Sequence, residues 1–324
     1  MSRVVVVGSY NQDHVWSVDR FPQPGETRRG QAFATGPGGK GFNQAVAAAR
    51  QGADTVFIGA LGDDDLARVA RALASAEGLD ARWQTVAGTP TGSCAILVDA
   101  QAQNQIVLYL AANECLEAGH VQAQADAFAA AAVLLVQLET GLEPIHAALQ
   151  AAPAQCLRLL NPAPVHARLD APLLAAADLI TPNETEFAEL LARFAGVELA
   201  ADAIAGCSDA ELHALCRRLG RASVIVTLGA RGCFVSHAQR ERHRDSEDCY
   251  RLPAETVQVR DTTGAGDAFN GALAAELALN PQQPLRRILR HAGRAAALST
   301  ERPGAATAMP TRQQVLQRFG AAAD

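Results

Sequence analysis

Short apolar runs alternate with helical patterns along most of this chain, and that alternation restricts the fold more than any other feature. Strands are expected at Val4–Gly8, Val56–Ala60, Leu134–Leu138, Leu157–Asn161, Leu179–Thr181 and Val224–Leu228. Helical spacing covers Gly41–Gln51, Leu66–Glu77, Ile145–Ala151, Glu184–Phe194 and Ala210–Leu219. The strand runs are almost wholly apolar, so both faces of each must be buried. The order therefore predicts an α/β fold, a mainly parallel sheet with helices on both faces. Gly271 to Arg294 reads as helix broken near Pro281 and Pro284. Thr311–Phe319 reads as a last helix, with Thr311 and Gln314 as a capping box. A chain of 324 residues, 49% hydrophobic and 19% charged, can bury such a core.

Two segments break the alternation. Tyr10–Phe33 alternates polar and apolar residues around Pro22, Pro24 and Gly25, and Thr91–Leu110 contains Ser93–Val98 and Gln105–Leu110 joined by a polar turn. Both read as antiparallel ribbons, able to pair as a small half-exposed sheet. A ribbon with one apolar face must cover something, either a bound ligand or a second subunit. The charged stretch His237–Tyr250 reads as a long solvated hairpin loop. There is no internal repeat and no low-complexity linker.

Charge and cysteine usage exclude some functions. The net charge is −6, and the only basic runs are short Arg pairs, which argues against a nucleic-acid face. A phosphate site built from backbone amides is not excluded. No apolar run approaches the roughly 20 residues that span a bilayer. The N-terminal run reads as a buried strand, not a leader. Seven scattered cysteines without a Cys-x-x-Cys pair point to a reducing cytoplasm and no structural metal. Of the 28 basic residues only Lys40 is a lysine, which draws attention to its position.

Lys40 lies in Gly36-Pro-Gly-Gly-Lys-Gly41, a match to Gly-x-Gly-x-x-Gly. The residues before it, 30–35, do not form a buried strand, so the dinucleotide fold of an oxidoreductase is rejected. Lys40 is followed by Gly41 where a Walker A loop has Ser or Thr. What remains is a glycine turn opening a helix that carries Asn43 and Gln44. With the amides of Gly38 and Gly39 it would make a hydrogen-bonding cup for a small polyhydroxylated ligand. The alternative is a loop whose glycines only permit close packing, with Lys40 in solvent.

The second glycine turn is Asp261-Thr-Thr-Gly-Ala-Gly-Asp-Ala-Phe-Asn-Gly271. Gly264, Ala265 and Gly266 let the backbone turn tightly and aim N–H groups at an anion, with the dipole of the following helix behind them. Asp267 could accept a proton from a hydroxyl there. Equally, Gly-x-Gly before a helix is often only a turn, and its Asp only a cap.

Taken together, these stretches resemble the ribokinases of the PfkB-type carbohydrate kinase family. The match comprises Gly8-Ser-Tyr-Asn-Gln-Asp13, then Gly38 through Arg50, Gln137-Leu-Glu139, Asn161-Pro-Ala-Pro164, Thr181-Pro-Asn-Glu-Thr-Glu186, Thr227-Leu-Gly-Ala-Arg-Gly232, and Asp261–Gly271. It covers nearly the whole chain, and its first and last motifs are specific in combination. The resemblance implies one catalytic domain over 1–324. Its form would be a three-layer α/β/α sandwich with a β-sheet lid from segments about 10–33 and 91–112. It implies transfer of the ATP γ-phosphate to a sugar hydroxyl, with D-ribose as the expected acceptor. Another pentose, a ketohexose or a nucleoside is the alternative, and beyond those a sugar-binding regulator without catalysis.

Carried over by match, Asp267 would be the catalytic base, and the amides of Gly264, Ala265, Gly266 and Asp267 the anion hole. Asn11 and Asp13 would bind sugar hydroxyls, with Gly38, Gly39, Lys40, Asn43 and Glu139 completing the cup. Asn183, Glu186 and Thr227, Leu228, Gly229, Ala230, Arg231 and Gly232 would line the nucleotide site beside Gly266. Asn183-x-x-Glu186 is also a capping pattern, and the family places it near Mg²⁺ and the phosphates. Ribokinases bind K⁺ through backbone carbonyls, and the matching positions are Asp261, Thr263, Ser299, Arg302 and Gly304. The family also implies ATP and a small sugar as partners and a homodimer through the lid. Four departures stand out. Phe42 replaces a small residue and would crowd the edge of the cup. Gly293 removes a side chain expected at the adenine, Ala308 replaces a Ser near the K⁺ loop, and Asn113 has fewer glycines around it.

Overall fold

Alternate residues of the first strand face opposite cores. Val4 and Val6 pack into one hydrophobic cluster and Val5 and Val7 into the other, all four fully buried. A strand covered on both faces belongs inside a layered α/β fold. The computed structural model describes residues 3–101, 103–165 and 168–321. Ala102, in the turn expected between two ribbon strands, lies outside them.

The strands in chain order are β1 Arg3–Val7, β2 Asn11–Ser17, β3 Ala32–Gly38, β4 Asp54–Leu61, β5 Asp80–Thr85, β6 Ser93–Val98 and β7 Asn104–Tyr109. They continue with β8 Ala131–Val136, β9 Leu157–Leu160, β10 Leu179–Ile180, β11 Ser223–Thr227, β12 Cys233–Ser236 and β13 Cys249–Leu252. Nine of them form one sheet in the order β13-β12-β11-β10-β9-β8-β1-β4-β5. From β11 to β5 every pairing is parallel, and only the β11-β12-β13 edge is antiparallel. Helices Lys40–Arg50, Asp65–Ala76, Ala265–Leu279 and Leu285–Ser299 contribute to one core, and Leu142–Ala151, Glu184–Leu190 and Asp209–Arg217 to the other. This is the expected three-layer sandwich with a mainly parallel sheet.

Chain order places the cleft. From β1 the sheet grows through β4 and β5 to one side, and from the adjacent β8 through β9 and β10 to the other. Loops leaving β1 and β8 diverge at this switch point, which opens a crevice at the carboxyl ends of the strands.

The two ribbons form a second sheet in the order β3-β2-β6-β7. Each ribbon is antiparallel, as its alternation predicts, and the two join through a parallel β2–β6 pairing. Phe33, Ile106, Val107 and Tyr109 are more than half exposed on it. The segment before the Lys40 loop is an exposed strand of this sheet, not a buried one.

The 237–250 stretch needs a correction. It is a hairpin connection between β12 and β13, but it is not wholly solvated. His237, His243 and Asp245 are buried. His237 Nε2 meets Asp245 Oδ2 at 2.9 Å, and Asp245 also accepts from the Tyr250 hydroxyl and the Arg286 N–H. The loop's charges are partly folded inward because they satisfy one another.

Candidate active site

Asn11 and Asp13 stand two residues apart on β2, so their side chains share one face of the small sheet. Asn11 is pinned by the buried Asn113, whose Nδ2 donates to Asn11 Oδ1 at 3.0 Å and to the carbonyls of Tyr10 and Leu110 at 2.9 Å. Asn113 Oδ1 in turn accepts from Tyr10 N at 3.0 Å. Asn113 appeared in the sequence only as a departure in its surroundings; in the fold it ties both ribbons to the exit of β1.

The Lys40 loop faces this pair. Gly39 has φ +87°, a conformation that favours glycine, and a Cβ there would lie 2.7 Å from Asn11 N. At Gly38 an added Cβ would lie 2.3 and 2.4 Å from the two Asp13 carboxylate oxygens. Glu139, at the exit of β8, props the loop: its Oε2 accepts from Ser9 Oγ at 2.6 Å and from Lys40 N at 2.9 Å.

Asp267 is in the first turn of the Ala265–Leu279 helix and is buried. That helix starts from Gly264 in a left-handed conformation, φ 73°, with no side-chain cap. The capping alternative for Asp267 therefore fails. Its carboxylate leaves the helix and accepts from Asn43 Nδ2 at Oδ2 and from Gln44 Nε2 at Oδ1, both at 2.9 Å. Ala265 N turns back to Thr262 O at 3.2 Å, and with no side-chain cap the other first-turn amides are available to an anion.

The site is electrostatically crowded. Burial pushes the Asp13 carboxyl up to about 7, and the charges of Glu139 and Asp267 add to it. Burial opposes the charge on Lys40, yet Asp267, Glu139 and Glu186 outweigh it and hold the ammonium above its ordinary range. Burial also raises Glu186, with Asp267 adding and Lys40 opposing. So three carboxylates act on the chain's single lysine.

Asn183 and Glu186 form a complete capping box: Glu186 N donates to Asn183 Oδ1 and Asn183 N to Glu186 Oε2, both at 2.9 Å. The capping alternative is thus real for this pair. A bridge joins Asn183 to Thr227 at the end of β11. The turn after it exposes Gly229, Ala230 and Arg231, and Arg231 faces Glu184 at 3.6 Å. Leu228 is buried, so only its backbone is available to a ligand. Asp261 gathers the third group, accepting from Thr263 N at 2.9 Å and Gly304 N at 2.8 Å, while its own N–H reaches Thr300 O beside Ser299. Arg302 N donates to Ser299 O on the same turn.

One expectation is overturned. Phe42 does not crowd the cup: it is buried and packs edge-on against Tyr10 and Phe57, with Trp83 stacked beside it. Tyr10 is also fully buried and offers no wall to a nucleoside base. Gln44, Asn161, Thr181 and Asn270 carry the network around Asp267. Their motifs were legible, but not this duty, because their partners are far away in sequence.

The family profile of pfkB family carbohydrate kinases matches residues 1–312. The chain is 39% identical to a ribokinase of Haemophilus influenzae over 97% of both chains. Its structure is similar to that of Giardia lamblia ribokinase, with TM-score 0.86, 28% identity and 98% of each chain covered. It is also similar to Arabidopsis thaliana ribokinase complexed with ribose and ATP, with TM-score 0.78, 28% identity and 97% of each chain covered.

Proposed function

This chain belongs to the pfkB family of carbohydrate kinases and is a sugar kinase, and from that premise we propose that it phosphorylates D-ribose at the 5-hydroxyl with ATP. One observation carries the chemistry: a buried carboxylate, Asp267, at the uncapped start of a helix, with both oxygens held by amide donors. Asp13, Asn11 and Asn43 border the same crevice and suit a small free sugar, since a carboxylate can accept from two neighbouring hydroxyls. The burial of Tyr10 and Phe42 disfavours a nucleoside.

In this proposal the sugar binds among Asn11, Asp13, Gly38, Gly39, Lys40 and Asn43, with Glu139 holding the loop. ATP lies along Asn183, Glu186 and the Thr227–Gly232 turn. Asp267 takes the hydroxyl proton, and the Gly264–Asp267 amides receive the phosphoryl charge. Lys40, already drawn toward the carboxylates, adds a positive charge. The small sheet is the lid, which excludes water when it closes.

The residues fit the two metal ions. Asn183 and Glu186 offer hard oxygen donors, and the mutual repulsion of Glu186 and Asp267 is what a divalent cation relieves. Asn183 and Glu186, hydrogen-bonded to each other, would hold Mg²⁺ beside the phosphates through water, as the family resemblance implies. The ion would neutralise phosphate charge. Asp261, by binding Thr263 and Gly304, draws together the two segments whose carbonyls, with those of Ser299 and Arg302, would hold K⁺.

The whole chain acts as one catalytic unit, and the exposed apolar residues of the lid pair with a second copy. The seven free thiols suit a reducing cytoplasm. Among the described residues no helix is long and apolar enough to cross a membrane.

A panel of acceptors, with ADP formation measured with and without K⁺, tests the proposal. D-Ribose should give the highest kcat/KM among ribose, 2-deoxyribose, xylose, fructose and adenosine. A better acceptor from the panel would refute the ribose assignment. Sugar binding without ADP would refute catalysis.

A further inference from the structure

We infer that Gln44 is a positioning residue for Asp267, fixing Oδ1 as the anchored oxygen and leaving Oδ2 to receive the proton. The inference rests on Asp267 being the base. Its support is a hydrogen-bond chain whose direction can be deduced. The Thr181 backbone carbonyl can only accept, and Asn161 Nδ2 donates to it at 3.0 Å. Asn161 must therefore present Oδ1 to Gln44, which meets it with Nε2 at 3.0 Å. The same Nε2 then points at Asp267 Oδ1, at 2.9 Å, and Gln44 Oε1 is left to accept from Gln137 Nε2 at 2.6 Å. Both N–H donors of the Gln44 amide are used, and its oxygen has a partner. Reversing the amide would set Oε1 against Asn161 Oδ1 and Asp267 Oδ1, breaking both contacts in a site where Gln44 is fully buried; Gln137, whose Oε1 has no partner, does not decide the direction.

Oδ1 thus faces a donor that cannot turn away. Oδ2 faces Asn43, whose own Oδ1 is buried without a partner, so that amide is not locked. A sugar hydroxyl can replace it. In the transfer, the hydroxyl oxygen forms the new O–P bond and its proton goes to Oδ2. The bond from phosphorus to the bridging oxygen breaks, and its electron pair leaves with ADP. The same network braces the amide nest: Thr181 Oγ1 donates to Asn270 Oδ1 at 2.6 Å, and Asn270 Nδ2 to Gly266 O at 2.8 Å. Lys40, Asp13 and Glu186 also act on Asp267 by charge, with Glu139 beyond them, and all four stay in place in the variants below.

The test compares Gln44→Glu, Gln44→Met and Asp267→Asn by kcat and sugar KM across pH, with melting curves to establish folding. Gln44→Glu keeps the shape but sets two carboxylates against each other, which must then share a proton. We expect kcat at neutral pH to fall about 10- to 100-fold, the loss of one hydrogen bond to a charged group. The acid limb of its pH profile should move upward, and sugar KM should hold within about 3-fold. Gln44→Met should lose kcat similarly. Folded Gln44 variants with parental kcat and acid limb, beside an inactive Asp267→Asn, would overturn this inference alone. Near-normal turnover in Asp267→Asn would instead remove the base on which it rests.

Discussion

Gly38→Ala separates the proposed sugar-binding role of Asp13 from the stability of the loop. Gly38 pairs with Asn11 in the β2–β3 register, and its φ lies outside the left-handed region, so alanine causes no backbone strain. The added methyl would stand 2.3 Å from Asp13 Oδ1, against an ordinary contact distance of at least 3.4 Å. The carboxylate must move by about 1 Å, a displacement that can cost about 10²-fold when it misplaces a substrate. A second route gives a similar size. Losing a hydrogen bond to a charged group costs roughly 1.5–3 kcal/mol, or about 10- to 150-fold in kcat/KM. The assay titrates sugar at saturating ATP, then ATP at saturating sugar. Loss should appear in the sugar titration, with ATP KM within about 2-fold and little change in melting temperature. Gly39→Ala is the contrast: its φ is +87° and its methyl meets the backbone of Tyr10 and Asn11, so stability should fall as well. An unchanged sugar KM in Gly38→Ala would refute the placement of Asp13 in the sugar site.

Three further outcomes follow from the same geometry. The Asp13 carboxyl titrates near 7 when folded, against 3.8 as its ordinary value, so between those pH values the folded state holds the extra proton. Its contribution to sugar-free stability is therefore fully present below the lower value and is lost as pH rises through 7. Sugar KM should run the other way, rising below pH 7 as the accepting carboxylate is lost; a flat KM from pH 5.5 to 8 would contradict this. Asn113→Ala removes four hydrogen bonds, three of them buried, and should cost about 2–3 kcal/mol in denaturant unfolding. It should also raise sugar KM by freeing Asn11, and parental stability would show that Asn113 is not the tie described. Val107→Asp places a charge on a residue 71% exposed on β7, so under the proposed pairing of lid faces sedimentation should show a dimer for the parent and a monomer for the variant. An unchanged dimer would move the interface off this strand.

Local chemistry made much of the architecture legible. Buried strands announce themselves by continuous apolar runs, ribbons by alternation, and the Thr311 capping box by its own spacing, all within windows of a few residues. The strands that were not foreseen lacked such a signal. β5, Asp-Ala-Arg-Trp-Gln-Thr, is mixed in polarity at the sheet edge, and β12 and β13 are only four residues each. Phe42 looked like an edge of the cup because its neighbours belong there. Only the packed structure shows that its side chain turns to Phe57 and Trp83.

The order of strands and the two glycine turns, with their flanking Asn43 and Asp267, are properties of the sequence itself, because backbone freedom and periodicity are local. The polarity of the site is not. Gln44 meets Asp267 across 223 residues, and Asn161 and Gln137 across 117 and 93. Whether a glutamine caps, packs or aims a carboxylate depends on which carbonyl terminates its hydrogen-bond chain. Here that carbonyl is Thr181's, and only the meeting of β8, β9, β10 and two helices at the switch point brings it into reach.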